Sequence, residues 1–490
     1  MPVVTTPSGA LRGLAVEGAT AYLGIPYAEP PVGPLRFQPP AAVAPWTGER
    51  DATSFGPSAP QTDTSQFAEL VPGGGVGQTS EDCLTLNVWS PTGADRLPVM
   101  VWLHGGAFVL GSSSLPTYDG RLLATEQQVV VVSVNYRLGA LGWLSGVAGV
   151  TPNCGLLDQL LALEWVRDSI AAFGGDPGSV TVFGESAGAA SVLHLLTSPR
   201  AAGLLHKAVL QSPNAGATLT PELAAQVAEA LVAELDGADL RTVAVEQLVS
   251  AQQKVSAQLF PLVGAMPFHP TVDGTVVPRD PREPGALLPV PLLAGSTSEE
   301  MRLFASPAYA SFDHARLVTF LEPYLSIAAR RPLATAAVEE AVTAYERVHT
   351  GSLDVFSALT TDQIMRLPLT DVLDRREGPT YAYSFTWQAT GAPRPVGAGH
   401  AMDLPFTFGT LGVGAWAEWM GDRDQAEGLS LAMREAWAAF ARAGTPAAKG
   451  LPAWPGYDGS RLTMLLGRTV EVVADPLADA RARCAALRSR

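Results

Sequence analysis

Apolar residues fall along this chain in two distinct patterns. Short β-branched runs, Leu86–Trp89 (LNVW), Leu97–Leu103 (LPVMVWL) and Val129–Val134 (VVVVSV), carry apolar side chains at successive positions. That is the pattern of strands buried on both faces. Gly155–Gly175 (GLLDQLLALEWVRDSIAAFGG) instead places apolar residues at helical spacing and ends on a Gly pair, a stop signal. Ser179–Leu196 reads as strand, tight turn and helix, and Ala208–Ser212 and Val290–Thr297 as two more short buried strands. The first 60 residues, rich in Pro and Gly, read as short strands and turns. Strands alternating with helices predict an α/β fold with a large, mostly parallel sheet and right-handed crossovers. Residues 219–257 and 328–350 are amphipathic helical insertions between sheet elements, expected over the face of the sheet that carries the site. No internal repeat or long linker interrupts the pattern, so residues 1–490 are expected to form one unit.

Composition narrows the class. The 490 residues are 47% apolar and 16% charged, a globular balance, with a net charge of −15. An acidic surface disfavours nucleic acid and anionic membranes as partners. The N-terminal MPVVTTPSGALRG lacks the basic and apolar regions of a signal peptide, and no apolar run reaches membrane-spanning length. A cytoplasmic location is therefore expected, with a monomer or weak homo-oligomer as the state. Cys83, Cys154 and Cys484 are odd in number and irregular in spacing, which argues against a disulfide framework or a zinc site.

The strongest chemical signal is Gly184-Glu185-Ser186-Ala187-Gly188, between the apolar run Val180–Phe183 and an Ala-rich helix. G-x-S-x-G in that context is a nucleophile elbow. The serine sits on a strained strand-to-helix turn, and flanking glycines admit a backbone too close for a Cβ. The helix N-terminus favours a developing anion there. His104-Gly105-Gly106-Ala107-Phe108 follows the strand VMVWL and is similar to the HGGG-type loops that donate backbone N–H groups to an oxyanion. Gly105 and Gly106, with the amide of Ala187, are the expected oxyanion donors.

A general base is found by elimination among seven histidines. His104 belongs to the oxyanion loop. His194 and His206 lie too near Ser186 along the chain. His269 and His314 precede or closely flank any candidate acid, and His349 sits on a helix face. His400, in the glycine-rich GAGHAMDLPFTFG, remains. The acid must follow a late strand and precede His400, where Glu299 and Glu300 compete. The residue pattern leaves that choice open.

Together these motifs resemble the type-B carboxylesterase family, which includes bacterial para-nitrobenzyl esterases and the cholinesterases. The resemblance runs from Gly24-Ile25-Pro26-Tyr27-Ala28 and Ser80-Glu81-Asp82-Cys83-Leu84, through Asn135-Tyr136-Arg137 and Phe173-Gly174-Gly175-Asp176-Pro177, to Trp454-Pro455-Gly456-Tyr457. It implies an α/β-hydrolase fold and hydrolysis of small neutral esters through an acyl-enzyme without metal or cofactor. The family pattern G-x-x-x-[DE]-E implies Glu300 as the acid, giving a triad of Ser186, Glu300 and His400. It also implies structural ion pairs Arg36–Glu81 and Arg137–Asp158. Two departures matter. Ser58 and Ala59 stand where a cysteine would pair with Cys83, which fits a reducing compartment. Gly73, in Val71-Pro72-Gly73-Gly74-Gly75, stands where cholinesterases carry a choline-binding tryptophan. Apolar residues Phe260, Leu262, Met266, Phe268, Leu303 and Phe304 are expected to line the site instead. Amide, carbamate or thioester hydrolysis and a non-catalytic adhesion role are the competing readings. Retention of every triad residue disfavours the second.

Overall fold

Residues in the apolar runs alternate between two cores. In the strand Leu97–Leu103, Val99, Val101 and Leu103 join one cluster, while Met100 and Trp102 enter the other. Val130, Val132 and Val134 split from Val131 in the same way. A sheet covered on both sides explains why these strands read as unbroken apolar runs. Each fully buried Val, Leu or Phe stabilises the fold by about 1.5–3 kcal/mol relative to exposure.

The computed structural model describes residues 1–63, 72–264 and 266–488. Thirteen strands among these residues form the sheet. They are β1 (Val3–Thr6), β2 (Gly9–Val16), β3 (Ala19–Pro26), β4 (Glu49–Ala52), β5 (Thr85–Pro91), β6 (Leu97–Leu103) and β7 (Val130–Val134). There follow β8 (Gly175–Glu185), β9 (Lys207–Gln211), β10 (Leu292–Thr297), β11 (Thr380–Phe385), β12 (Leu462–Leu466) and β13 (Val470–Ala474). The spatial order is β1-β2-β3-β5-β7-β6-β8-β9-β10-β11-β12-β13, with β4 beside β2. From β7 to β12 all neighbours are parallel. The N-terminal strands and β13 add antiparallel edges. The expected α/β sheet is therefore present.

The helix Cys154–Ser169 continues as a 3₁₀ turn to Phe173 and stops where Gly174 takes φ 75°, the stop read from the Gly pair. The insertion at 219–257 contains two helices, Pro221–Glu234 and Val245–Gln258, separated by a turn with Asp236 and Gly237 at positive φ. The second insertion begins earlier than the sequence pattern indicates. A helix spans His314–Ala329 ahead of Thr335–Glu346, and Pro323 lies inside it. Proline removes one backbone donor and breaks a helical pattern. Here Leu317, Leu321 and Leu325 are buried and hold the segment helical by tertiary packing. With Val338, Tyr345 and Phe356 they form a third cluster closed by Ala480, Cys484 and Leu487.

Both expected ion pairs form. Arg36 Nε and Nη2 meet Glu81 at 2.8 and 3.0 Å, and buried Arg137 grips Asp158 with Nε and Nη2 at 2.8 and 2.7 Å. Cys83, Cys154 and Cys484 are buried free thiols. No helix among the described residues is long and apolar enough to cross a membrane.

Candidate active site

The carboxyl ends of the parallel strands carry the candidate residues, the position where open α/β sheets bind ligands. Ser186 follows β8 directly, and the helix Ala187–Leu195 begins after it. Its backbone lies at φ 56°, ψ −121°, a region that L residues rarely occupy. The close approach expected of the elbow is real. A Cβ on Gly188 would lie 2.0 Å from the Leu103 oxygen, and one on Gly184 2.6 Å from the Gly188 carbonyl carbon. Only glycine lets the elbow nest against the end of β6.

The loop expected to hold the oxyanion leaves β6 at His104. A Cβ on Gly105 would sit 3.2 Å from the Ser186 Cβ, so this backbone passes directly beside Ser186. Gly106 takes φ 116°, and Ala107 and Phe108 are also at positive φ. Within the described residues, no hydrogen bond engages the amide N–H of Gly105, Gly106 or Ala187. His104 is buried, with Nδ1 2.8 Å from the Gly105 oxygen and its ring stacked on Tyr136. Burial pushes its pKa down to about 4, so the ring is neutral.

His400 and Glu300 meet. Nδ1–H of His400 donates to Glu300 Oε2 at 2.5 Å, and Glu300 Oε1 accepts from the Thr297 N–H at 2.8 Å. The His400 N–H also donates to the Glu300 carbonyl. Glu299 points elsewhere, to Gln388 and the backbone of Ala398. The opposite ring nitrogen, Nε2, lies 3.0 Å from Glu185 Oε1. Glu185 immediately precedes Ser186, so the imidazole stands over the elbow. In this conformation Nε2 faces Glu185, and no hydrogen bond joins it to Ser186 Oγ among the described residues.

Two buried carboxylates here escaped the sequence reading. Glu185 is the variable residue of the elbow motif, and Asp403 lies three residues after His400. Asp403 Oδ2 accepts from Gln211 Nε2 at 2.9 Å and from the Tyr383 hydroxyl at 3.1 Å. Burial raises both acids, and the neighbouring His400 ring opposes the rise at each. Burial by itself would lower the His400 pKa. The neighbouring charges of Glu185 and Glu300 outweigh it and raise the ring to about 9. The one available sequence signal was an acidic residue at the end of a buried strand, where an apolar one is expected.

The expected apolar lining is dispersed. Phe304 stands with its ring 5.4 Å from that of His400 and is 45% exposed, and Leu303 is buried beside Gly399. Phe268 belongs to the main core. Phe260 packs on Tyr324 and lines a separate open basin of about 560 Å³ with Phe320. Leu262 is exposed at the surface, and the carbonyl of Met266 is the acceptor for buried His269. A Cβ at Gly73 would face Thr117 and Val413 at 3.3 and 3.8 Å, with no ring atom within 4 Å among the described residues, while Val71 lies outside them.

A parallel sheet, a strained serine between strand and helix, and a buried histidine paired to a glutamate define a serine hydrolase of the α/β-hydrolase fold. The Carboxylesterase family model matches residues 1–484. The para-nitrobenzyl esterase of Bacillus subtilis (strain 168) is 37% identical, covering 98% of this chain and 97% of its own. The phenmedipham hydrolase of Pseudarthrobacter oxydans is 34% identical over 93% of both chains. Among solved structures, a thermophilic PNB esterase superposes with a TM-score of 0.87 at 35% identity, over 98% of this chain and 99% of its own. A Geobacillus stearothermophilus carboxylesterase gives 0.85 at 34%, over 99% and 100%. This chain belongs to the carboxylesterase family and is a carboxylic ester hydrolase.

Proposed function

We propose that the enzyme cleaves small neutral esters with Ser186 as nucleophile, His400 as general base and Glu300 as the orienting acid. Ser186 Oγ attacks the ester carbonyl carbon as its proton passes to His400 Nε2. The carbonyl oxygen becomes an anion held by the N–H groups of Gly105, Gly106 and Ala187. Collapse breaks the bond to the alcohol, which leaves with the proton from His400. Water then attacks the acyl-Ser186, giving its proton to the same base, which returns it to Ser186 Oγ as the carboxylic acid departs. Every proton is carried by these residues, so the reading calls for no metal or cofactor. Glu300 keeps Nδ1 protonated and thereby Nε2 basic. The observation that carries the reading is the 2.5 Å contact between Glu300 and Nδ1, with Nε2 turned to the elbow. We further read the whole chain as one cytoplasmic unit, monomeric or weakly self-associating, with a small ester as its partner rather than nucleic acid or membrane.

The test is turnover of p-nitrophenyl esters of increasing acyl length by the parent and by Ser186→Ala. Loss of a triad nucleophile costs about 10⁶ in kcat in comparable enzymes. Retention of more than a few per cent of activity by Ser186→Ala overturns the mechanism.

A further inference from the structure

Two adjacent glutamates follow β10, and both reach the histidine, by different routes. Glu300 takes the ring. Glu299 takes the loop that carries it. Glu299 Oε2 accepts from the Ala398 N–H at 3.0 Å and from Gln388 Nε2 at 2.8 Å. The Glu299 N–H donates back to the Ala398 carbonyl at 3.0 Å. The carboxylate is thus bonded two residues before His400, in a reciprocal pair with a single residue. Arg302 extends the brace. Its Nη1 lies 3.4 Å from Glu299 Oε1 and 2.8 Å from Asp354 Oδ1, and its Nε donates to the Pro395 carbonyl at 2.8 Å. The loop is shaped to receive this carboxylate. Gly397 has φ 59°, and a Cβ there would lie 2.3 Å from Glu299 Oε2.

We propose that Glu299 is a positioning residue for the reaction, setting the height of the 395–400 loop and hence the placement of His400 Nε2 over Ser186. This rests on the triad reading above. The geometry gives Glu299 no contact with reacting atoms, so its effect passes through the backbone of Ala398. A base misplaced by about 1 Å can cost about 10²-fold in rate.

The experiment measures kcat and KM for p-nitrophenyl butyrate, per active site titrated by acyl burst, so that unfolded protein does not count. Four proteins are compared with the parent: Glu299→Ala, Glu299→Gln, Glu300→Gln and the Glu299→Ala/Glu300→Gln double variant. Glu299→Ala is expected to lower kcat about 10- to 100-fold with KM within about twofold. Glu299→Gln keeps a carbonyl acceptor for Ala398 and should restore kcat to within about threefold of the parent. In the double variant the loss should fall well short of the product of the two, because residues acting through one histidine are not additive. A Glu299→Ala kcat within twofold of the parent, an equally impaired Glu299→Gln, or strict multiplicativity overturns the proposal. If Glu300→Gln itself retains parental kcat, the triad reading fails, whatever Glu299 does.

Discussion

Oε1 of Glu185 lies 3.0 Å from Nε2 of His400, the nitrogen that accepts the serine proton in the proposed mechanism. The contact lacks hydrogen-bond alignment, and this oxygen has no other hydrogen-bond partner in the described structure. Both groups are buried. A carboxylate there favours the imidazolium, and so does Glu300 on the other side, which together lift the ring to about 9 against the opposing effect of burial. In the proposed mechanism attack on the ester needs the neutral ring, but the charged ring forms once Ser186 has given up its proton. Glu185 therefore raises the pH at which the resting base becomes competent and stabilises the ion formed during attack.

Removing the Glu185 charge lowers the His400 pKa, so the neutral ring persists to lower pH. Glu185→Gln should move the acid limb of the kcat/KM profile downward by about one pH unit or more. It should also reduce the plateau, because the transient imidazolium loses a counter-charge. A profile whose acid limb stays in place or moves upward contradicts the coupling.

A different buried pair bears on stability through its burial. The Arg137 and Asp158 side chains are 2% and 0% exposed and doubly hydrogen-bonded. Asp158→Ala leaves a buried guanidinium without its counter-ion, a loss of about 3–5 kcal/mol. Arg167–Asp168 has similar distances but side chains 50% and 54% exposed, so Asp168→Ala should cost at most about 1 kcal/mol. Urea unfolding of the two variants checks the contrast, and equal midpoints would refute it.

Substrate charge should be read weakly. Gly73 faces Thr117 and Val413, and the ring standing at His400 is the exposed Phe304. Loss of one cation–π contact is worth roughly 0.5–2 kcal/mol. The net charge of −15 attracts cations at long range, but this is screened beyond about 8 Å at physiological salt. Butyrylthiocholine should therefore be no better a substrate, by kcat/KM at 0.15 M salt, than a neutral thioester of the same acid. A tenfold preference for the choline thioester would reveal a cation site.

The thiols give a simple chemical check. Burial pushes Cys154 and Cys484 up to about 12 and Cys83 higher still. The thiolate is the reactive form, so native protein at pH 8 should react slowly with a thiol reagent. Denatured without reductant, each chain should release three thiols. One or none would mean a disulfide.

Much of the site was legible in the chain because it is local. The elbow needs a strand, a serine between glycines and a helix, all within residues 180–195, and the oxyanion loop needs a strand end followed by Gly105 and Gly106. Continuous apolar runs likewise announced the doubly covered strands, since each residue's burial follows from its own position on the pleat. What tertiary structure decided was non-local. Glu299 and Glu300 are neighbours of the same type, and residue pattern cannot separate them. The exit from β10 sends one carboxylate to the ring of His400, a hundred residues away, and the other to that ring's loop. The charges of Glu185 and Asp403 acquire meaning only through burial, which no local pattern records. Phe260 and Phe268 are equally apolar in sequence, yet one lines an open basin and the other fills the core. The helix around Pro323 exists because Leu317, Leu321 and Leu325 find a core to pack on. In each case the deciding energy comes from groups distant along the chain, and only the folded arrangement brings them into contact.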